Sequence, residues 1–103
     1  MQFWLLEEEG ELLGYALVRE YEWYDHPILC NRKGWYLEDL DIKETRRRQG
    51  WGKLLWQELE NRARQAGCAA LELNVWNFNR EAIVFYQQLG LEVQTLKLEK
   101  RLL

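Results

Sequence analysis

A chain of 103 residues, 48% hydrophobic and 30% charged with a single proline, supports one domain with one core and is too apolar to remain disordered. The net charge of −3 excludes the surface as a whole as a polyanion binder. Any attraction to phosphate must be local, and nucleic acid is not an expected partner. The apolar runs fall far short of the roughly 20 residues a membrane span needs, so a soluble chain with no membrane partner is expected.

The first two elements are β-rich: "QFWLLEEE" and "ELLGYALVREYEWY" flank Glu9-Gly10, a short polar connection of the kind that closes a hairpin. Next comes "DHPILCNRKG", which ends in a turn-like stretch from Asn31 to Gly34. "WYLEDLDI" over 35–42 then alternates as a third strand, with Tyr36, Glu38, Leu40 and Ile42 on one face and Leu37, Asp39 and Asp41 on the other. Glu38 thereby shares a face with three apolar residues.

From Gly50 to Ala66 the apolar residues Trp51, Leu54, Leu55, Leu59, Ala63 and Ala66 recur at helical spacing, and Gly67 is a natural stop. "CAALELNVW" reads as a strand over 69–76. Asn79 caps "REAIVFYQQL", whose stripe is Ala82, Ile83, Tyr86 and Leu89, and Gly90 ends that helix. "LEVQTLKLEKRL" reads as a closing strand. The expected fold is α+β, a mostly antiparallel mixed sheet of about five strands with two helices in the order β-β-β-α-β-α-β. The strands at 35–42 and 69–76 are joined as a right-handed parallel βαβ unit, and residues 1–103 form a single domain.

Cys30 and Cys68 form no CxxC pair, and no signal-peptide pattern precedes them. Both are read as reduced thiols of a cytoplasmic protein, with no metal site expected. His26, beside Pro27, is read as a surface residue.

"TRRRQGWGKLL" is the stretch that demands an explanation, because three adjacent arginines repel one another and two glycines weaken a helix just where it begins. A dinucleotide fingerprint would need glycine where Leu55 stands. A P-loop would need glycine at Arg47 and a hydroxyl at Leu54. What remains is R-x-x-G-x-G, with Arg47, Gly50 and Gly52 between a strand and a helix N-terminus. Free N–H groups and the helix dipole would make an anion nest there. A glycine-rich turn flanked by solvated charge is the other reading of the same residues.

Taken with "NVWNFNREAIVFYQQLG", whose N-x-x-A-x-x-x-Y-x-x-x-G spacing is set by Asn79, Ala82, Tyr86 and Gly90, the chain resembles the GNAT superfamily of N-acetyltransferases over about residues 35–103. The resemblance implies that acetyl-CoA is the cofactor, its pyrophosphate held by the loop Arg47, Arg48, Gln49, Gly50, Trp51, Gly52 and Lys53. Asn79 would lie on the pantetheine side and Tyr86 near the thioester sulfur. The oxyanion donor would be a main-chain N–H near Leu40, Asp41 and Ile42. "GWYLEDLDIKETRRRQGWG" is similar to the polyamine and thialysine branch, in which a Leu-Glu-Asp glutamate helps deprotonate the amine, here Glu38. Trp51 and the pair Thr45-Arg46 depart from the usual pattern, and the usual N-terminal strand-helix segment is lacking.

A GNAT reaction is direct attack of an amine on the thioester. An alkylamine with a pKa of about 10.4 must first lose a proton, for which Glu38 is the candidate. The departing thiolate, conjugate to an acid of pKa near 8.5, needs a donor, for which Tyr86 is the candidate. The acidic residues Asp39 and Asp41 offer attraction for a cationic acceptor or a solvated face. The acceptor is a small-molecule or protein amine: polyamine, amino acid, aminoglycoside and protein amine all remain open. A homodimer is expected, because strand edges and aromatic surface need cover. The rival reading is a protein that keeps the fold and the cofactor without turnover.

Overall fold

A computed structural model describes residues 1–23 and 32–103 of the chain, the side chain of Trp23 excepted. His26, Cys30 and the Asn31 end of the expected turn lie outside the described residues. Strand β1 (Gln2–Glu8) and strand β2 (Glu11–Trp23) form an antiparallel hairpin, and β3 (Arg32–Ile42) pairs with β2 in the same sense. Helix α1 (Trp51–Gln65) carries the chain to β4 (Ala70–Glu72), which runs parallel to β3, and helix α2 (Arg80–Gln88) follows. The sheet order is β1-β2-β3-β4, a mixed sheet with two helices as the α+β expectation requires.

Glu9 (φ 50) and Gly10 (φ 81) both adopt positive φ, the mirror-image turn whose twist matches that of the flanking strands. Gly67 (φ 81) and Gly90 (φ 95) terminate the two helices. In each case the following N–H reaches back to close the last turn, Cys68 to the carbonyl of Ala63 at 2.9 Å and Leu91 to that of Tyr86 at 3.1 Å.

Several sequence expectations are corrected: the strand expected over 69–76 is confined to Ala70–Glu72, and the sheet has four strands rather than about five. Arg32 to Gly34 belong to β3 rather than to a turn. On α1 the buried face is Leu55, Trp56, Leu59 and Ala63: Trp56 is only 2% exposed, whereas Leu54 is 48% exposed. Trp56 wins because α2 lies beside α1 and the Trp56 ring meets that of Tyr86 edge-on at 5.7 Å, a neighbour that periodicity cannot see. Finally, residues 91–103 form no strand. The β4 edge against which a last strand would zip is three residues long, too short a ladder to offset the entropy of ordering a further segment. Leu91 packs against the core all the same.

That core joins Ala16, Val18, Trp35, Leu37 and Ile42 of the sheet to the buried face of α1. Among the described residues no helix is long and apolar enough to cross a membrane.

Candidate active site

The alternation expected along β3 is broken at Glu38. In the register with β2, Val18 faces Leu37 and Leu17 faces Asp39, so Glu38 is an extra residue. Such a bulge bends the strand and moves every later side chain to the opposite face. The core face is therefore Trp35 and Leu37 before the bulge and Leu40 and Ile42 after it. Tyr36 does not share a face with Ile42: it keeps company with Glu38 around the Arg19 guanidinium, whereas Leu40 and Ile42, also assigned to Glu38 from sequence, turn to the core face.

β3 also loses its other partner here. Pairing with β4 runs from Gly34↔Ala70 to Tyr36↔Glu72 and stops. Beyond it the two chains part around a cleft of about 230 Å³, lined by Glu38, Asp39 and Leu40 on one side, Asn74 and Trp76 on the other, and Asn79 and Tyr86 from α2. Of the residues singled out from sequence, Glu38, Leu40, Asn79 and Tyr86 thus meet at one opening.

The Tyr86 ring is fixed edge-on between Trp56 and Phe85, with centroids 5.7 Å and 5.0 Å away. Its hydroxyl has no hydrogen-bond partner among the described residues. Burial, helped by the negative charge of Asp39, pushes its pKa above the ordinary 10.0, so the phenol keeps its proton. Asn79 caps α2 by accepting the N–H of Ala82 at 3.2 Å. Glu38 accepts from Nε of Arg19 at 2.7 Å. That bond is the main reason the Arg19 pKa is raised, and its guanidinium also lies 5.0 Å from the centre of the Tyr36 ring.

The arginine-glycine loop resolves into distinct parts. After a single 3₁₀ turn, Glu44–Arg46, Arg48 (φ 64) and Gly50 (φ 89) take left-handed backbone, and α1 begins. Its first backbone bond runs from the N–H of Leu54 to the carbonyl of Gly50 at 3.1 Å. The N–H groups of Trp51, Gly52 and Lys53 therefore have no helical acceptor, and no side chain caps the end. The two glycines differ. A Cβ on Gly50 would meet nothing within 4 Å, so its requirement is conformational. A Cβ on Gly52 would meet Phe85 at 3.4 Å and Ile42 at 3.8 Å, ordinary contact distances, so the space where β3, α1 and α2 converge would admit a methyl group there.

Two of the three adjacent arginines are compensated. Arg46 donates to Glu11 at 2.6 and 3.3 Å, and Lys43 adds a third bond to the same carboxylate at 3.3 Å. Arg47 turns back to the carbonyl of Ile42 and to Asp41, both at 2.9 Å. Arg48 is exposed and has no partner among the described residues. Gln49 links Thr45 to the Trp51 indole, which donates to it at 3.3 Å. Asp41 sits outside the cleft lining, and Ile42 lies in the core.

Sequence reasoning missed Arg19, Tyr15, Asn74 and Trp76. The first two act across strands, Arg19 on Glu38 and Tyr15 on Asp39 at 2.6 Å. Only the bulged register, which leaves no trace in the sequence, aligns these partners. The last two were within reach, since Asn74 and Trp76 stand between the expected strand and the Asn79 cap.

The chain matches the acetyltransferase (GNAT) family over residues 1–91. It is 36% identical over 69 residues to L-ornithine N5-acetyltransferase of Arabidopsis thaliana, a match covering 67% of this chain and 30% of that protein. It is 30% identical over 86 residues to thialysine N-epsilon-acetyltransferase of Bos taurus, covering 84% and 51% respectively. Among solved structures it is similar to a protein of Bacillus halodurans, with a TM-score of 0.88 and 30% identity over 96% of this chain and 64% of that one. The chain spans less than two thirds of the length of each of these proteins. With a match over most of its length, the chain belongs to the GNAT family of acetyltransferases.

Proposed function

We propose that this chain transfers the acetyl group of acetyl-CoA to a primary amine by direct attack. The observation that carries the proposal is the presence of two features in one chain: a helix N-terminus with free N–H groups, and a cleft between diverging β3 and β4 that holds Tyr86. The donor set fits a diphosphate. The free N–H groups of Trp51, Gly52 and Lys53 and the guanidinium of Arg48, which has no partner among the described residues, supply positive charge, and no side chain at Gly50 or Gly52 stands over the loop. When bound, acetyl-CoA supplies an acyl group activated as a thioester.

The remaining roles fall to the chain itself. Arg47 holds the loop to the end of β3 through Ile42 and Asp41. A main-chain N–H near Leu40 would face the acyl oxygen, and Asn79 would border the pantetheine arm while capping α2. Glu38 would take the proton of the incoming amine, directly or through water. Tyr86, which retains its proton, would give it to the departing sulfur. Relatives whose names give ornithine and thialysine as substrates support an amine acceptor.

Residues 1–103 acting as one domain, a cytoplasmic location and a homodimer belong to the same proposal. The free thiol of Cys68 supports the location. The dimer is supported by β1, which pairs only with β2 among the described residues and exposes Phe3 and Leu5 at 60% and 54%.

Calorimetric titration with acetyl-CoA, followed by a turnover assay on a panel of primary amines, tests the function. Binding with transfer is expected. No binding at millimolar ligand would remove the proposal, and binding without transfer to any amine would reduce the chain to a cofactor-binding protein.

A further inference from the structure

Among the described residues the indole N–H groups of Trp4 and Trp56 are buried without a hydrogen-bond partner. Trp56 is the more telling. It is 2% exposed on α1, in a core whose described members include no buried polar or charged residue. A water would not answer the N–H there, because an ordered buried water draws on several polar groups of its own. Native cores seldom leave such a donor unused. What Trp56 does meet is the Tyr86 ring of α2, with centroids 5.7 Å apart and planes at 66°. In that edge-on arrangement a positive ring edge lies against an electron-rich face. Trp4 repeats the pattern, its orphan N–H belonging to a ring 6.2 Å from that of Trp35 and tilted by 42°.

We propose that the indole N–H of Trp56 is donated to the face of the Tyr86 ring, which makes Trp56 a positioning residue for the phenol in the cleft. Tyr86 lines the cleft and Trp56 does not, so the indole acts on the ring from the core side. Phe85 also bounds the ring, edge-on at 5.0 Å, but carries no donor. A donor on the ring face holds the phenol in one orientation. It also draws electron density out of the ring, which eases release of the proton that Tyr86 would give to the departing sulfur. This functional meaning rests on the acetyl-transfer reading, whereas the contact itself is measurable without turnover.

The test has a spectral arm and a kinetic one. In nitrogen–proton NMR spectra the Trp56 indole proton should lie upfield of that of an exposed tryptophan such as Trp76, because it sits over a shielding ring face. Tyr86→Phe should preserve that shift, since the ring remains, and Tyr86→Leu should abolish it. An indole signal that ignores Tyr86→Leu would overturn the assignment. For the kinetic arm, benzothienylalanine in place of Trp56 keeps the shape and deletes only the N–H. With this isostere kcat should fall by roughly two- to five-fold, the size of a weak N–H contact, with KM unchanged. The same replacement should cost nothing further in a Tyr86→Phe background. An indole that only fills space would leave kcat unchanged on loss of the N–H, or lower it equally in both backgrounds, and either result overturns the positioning role. If the spectral shift follows the Tyr86 ring while no amine is acetylated, the acetyl-transfer reading falls and the contact stands.

Discussion

The phenol of Tyr21 lies across Gly34, its partner on β3. A Cβ added at Gly34 would run into the Tyr21 hydroxyl and ring carbons. The hydroxyl continues over β3 to bond Glu72 on β4, so the side chain straps three strands together through the gap that glycine leaves. Gly34→Ala is expected to destabilise the fold by roughly 1–3 kcal/mol through overpacking, read as a lowered thermal midpoint. In a double-mutant cycle Tyr21→Ala should relieve much of that loss. A neutral Gly34→Ala would show that the strap has no energetic consequence.

The same phenol sets a limit at alkaline pH. Burial and the Glu72 carboxylate raise the Tyr21 pKa above 10.0, and burial raises that of Tyr86. For an acid with a raised folded pKa, the stabilising difference is fully present below the unfolded value. It is lost as pH rises through the folded one. Stability should therefore hold up to about pH 10 and fall above it. Thermal midpoints across that range should show the decline, and it should be shallower in Tyr21→Phe.

Glu11 fastens the loop ahead of α1 to the start of β2 through Arg46 and Lys43, and hydrogen bonds from these two cations hold its carboxyl below the ordinary 4.5. That contribution is present above the unfolded value and disappears as pH falls through the folded one. Glu11→Gln should leave global stability nearly unchanged, as expected for an exposed pair, yet weaken acetyl-CoA binding by roughly two- to five-fold through a looser loop. Wild-type affinity in Glu11→Gln would separate the loop's anchoring from its binding role.

The loop residues should differ in kind. Arg48→Ala removes the one guanidinium of the three without a described partner and should cost acetyl-CoA affinity roughly three- to ten-fold at little cost in stability. Gly50→Glu should abolish binding by placing a negative charge in the nest. Gly50→Ala, forced to keep φ near 89°, should lose roughly 1–2 kcal/mol of stability. Gly52→Ala should be milder, because its Cβ would sit at ordinary contact distance from Phe85, 3.4 Å. Equal effects at Arg47 and Arg48 would argue against this division.

Much of this was legible in the residues, because the signals were local. Glu9-Gly10 closes a hairpin, Asn79 caps α2, and Gly67 and Gly90 end helices by chain geometry alone. The spacing of Asn79, Ala82, Tyr86 and Gly90 marked the family. What stayed illegible was non-local. One inserted residue at Glu38 inverts the faces of β3, yet its cause is the register with β2. Trp56 is buried by a helix 30 residues away in sequence (Trp56 to Tyr86). The fates of Arg46 and Arg47 depend on Glu11 and Asp41, which no charge count could assign. Residues 91–103 carry β-forming composition but find no adequate edge.

Tyr86 offers the sharpest test of the chemistry. Its ring packs between Trp56 and Phe85 and its hydroxyl has no described partner. Tyr86→Phe therefore removes a single oxygen without a cavity or a broken bond, and stability should stay within roughly 0.5 kcal/mol. Acetyl-CoA affinity should also persist, since the loop and α1 are untouched. Turnover should fall by roughly a hundred-fold or more, the contribution typical of a positioned general acid, with the loss in kcat rather than KM. Because a raised pKa keeps the wild-type phenol protonated beyond pH 10.0, any alkaline decline in kcat that reports its ionisation should vanish in the variant. Unchanged kcat in Tyr86→Phe would hand proton donation to solvent and leave Tyr86 as a wall of the cleft.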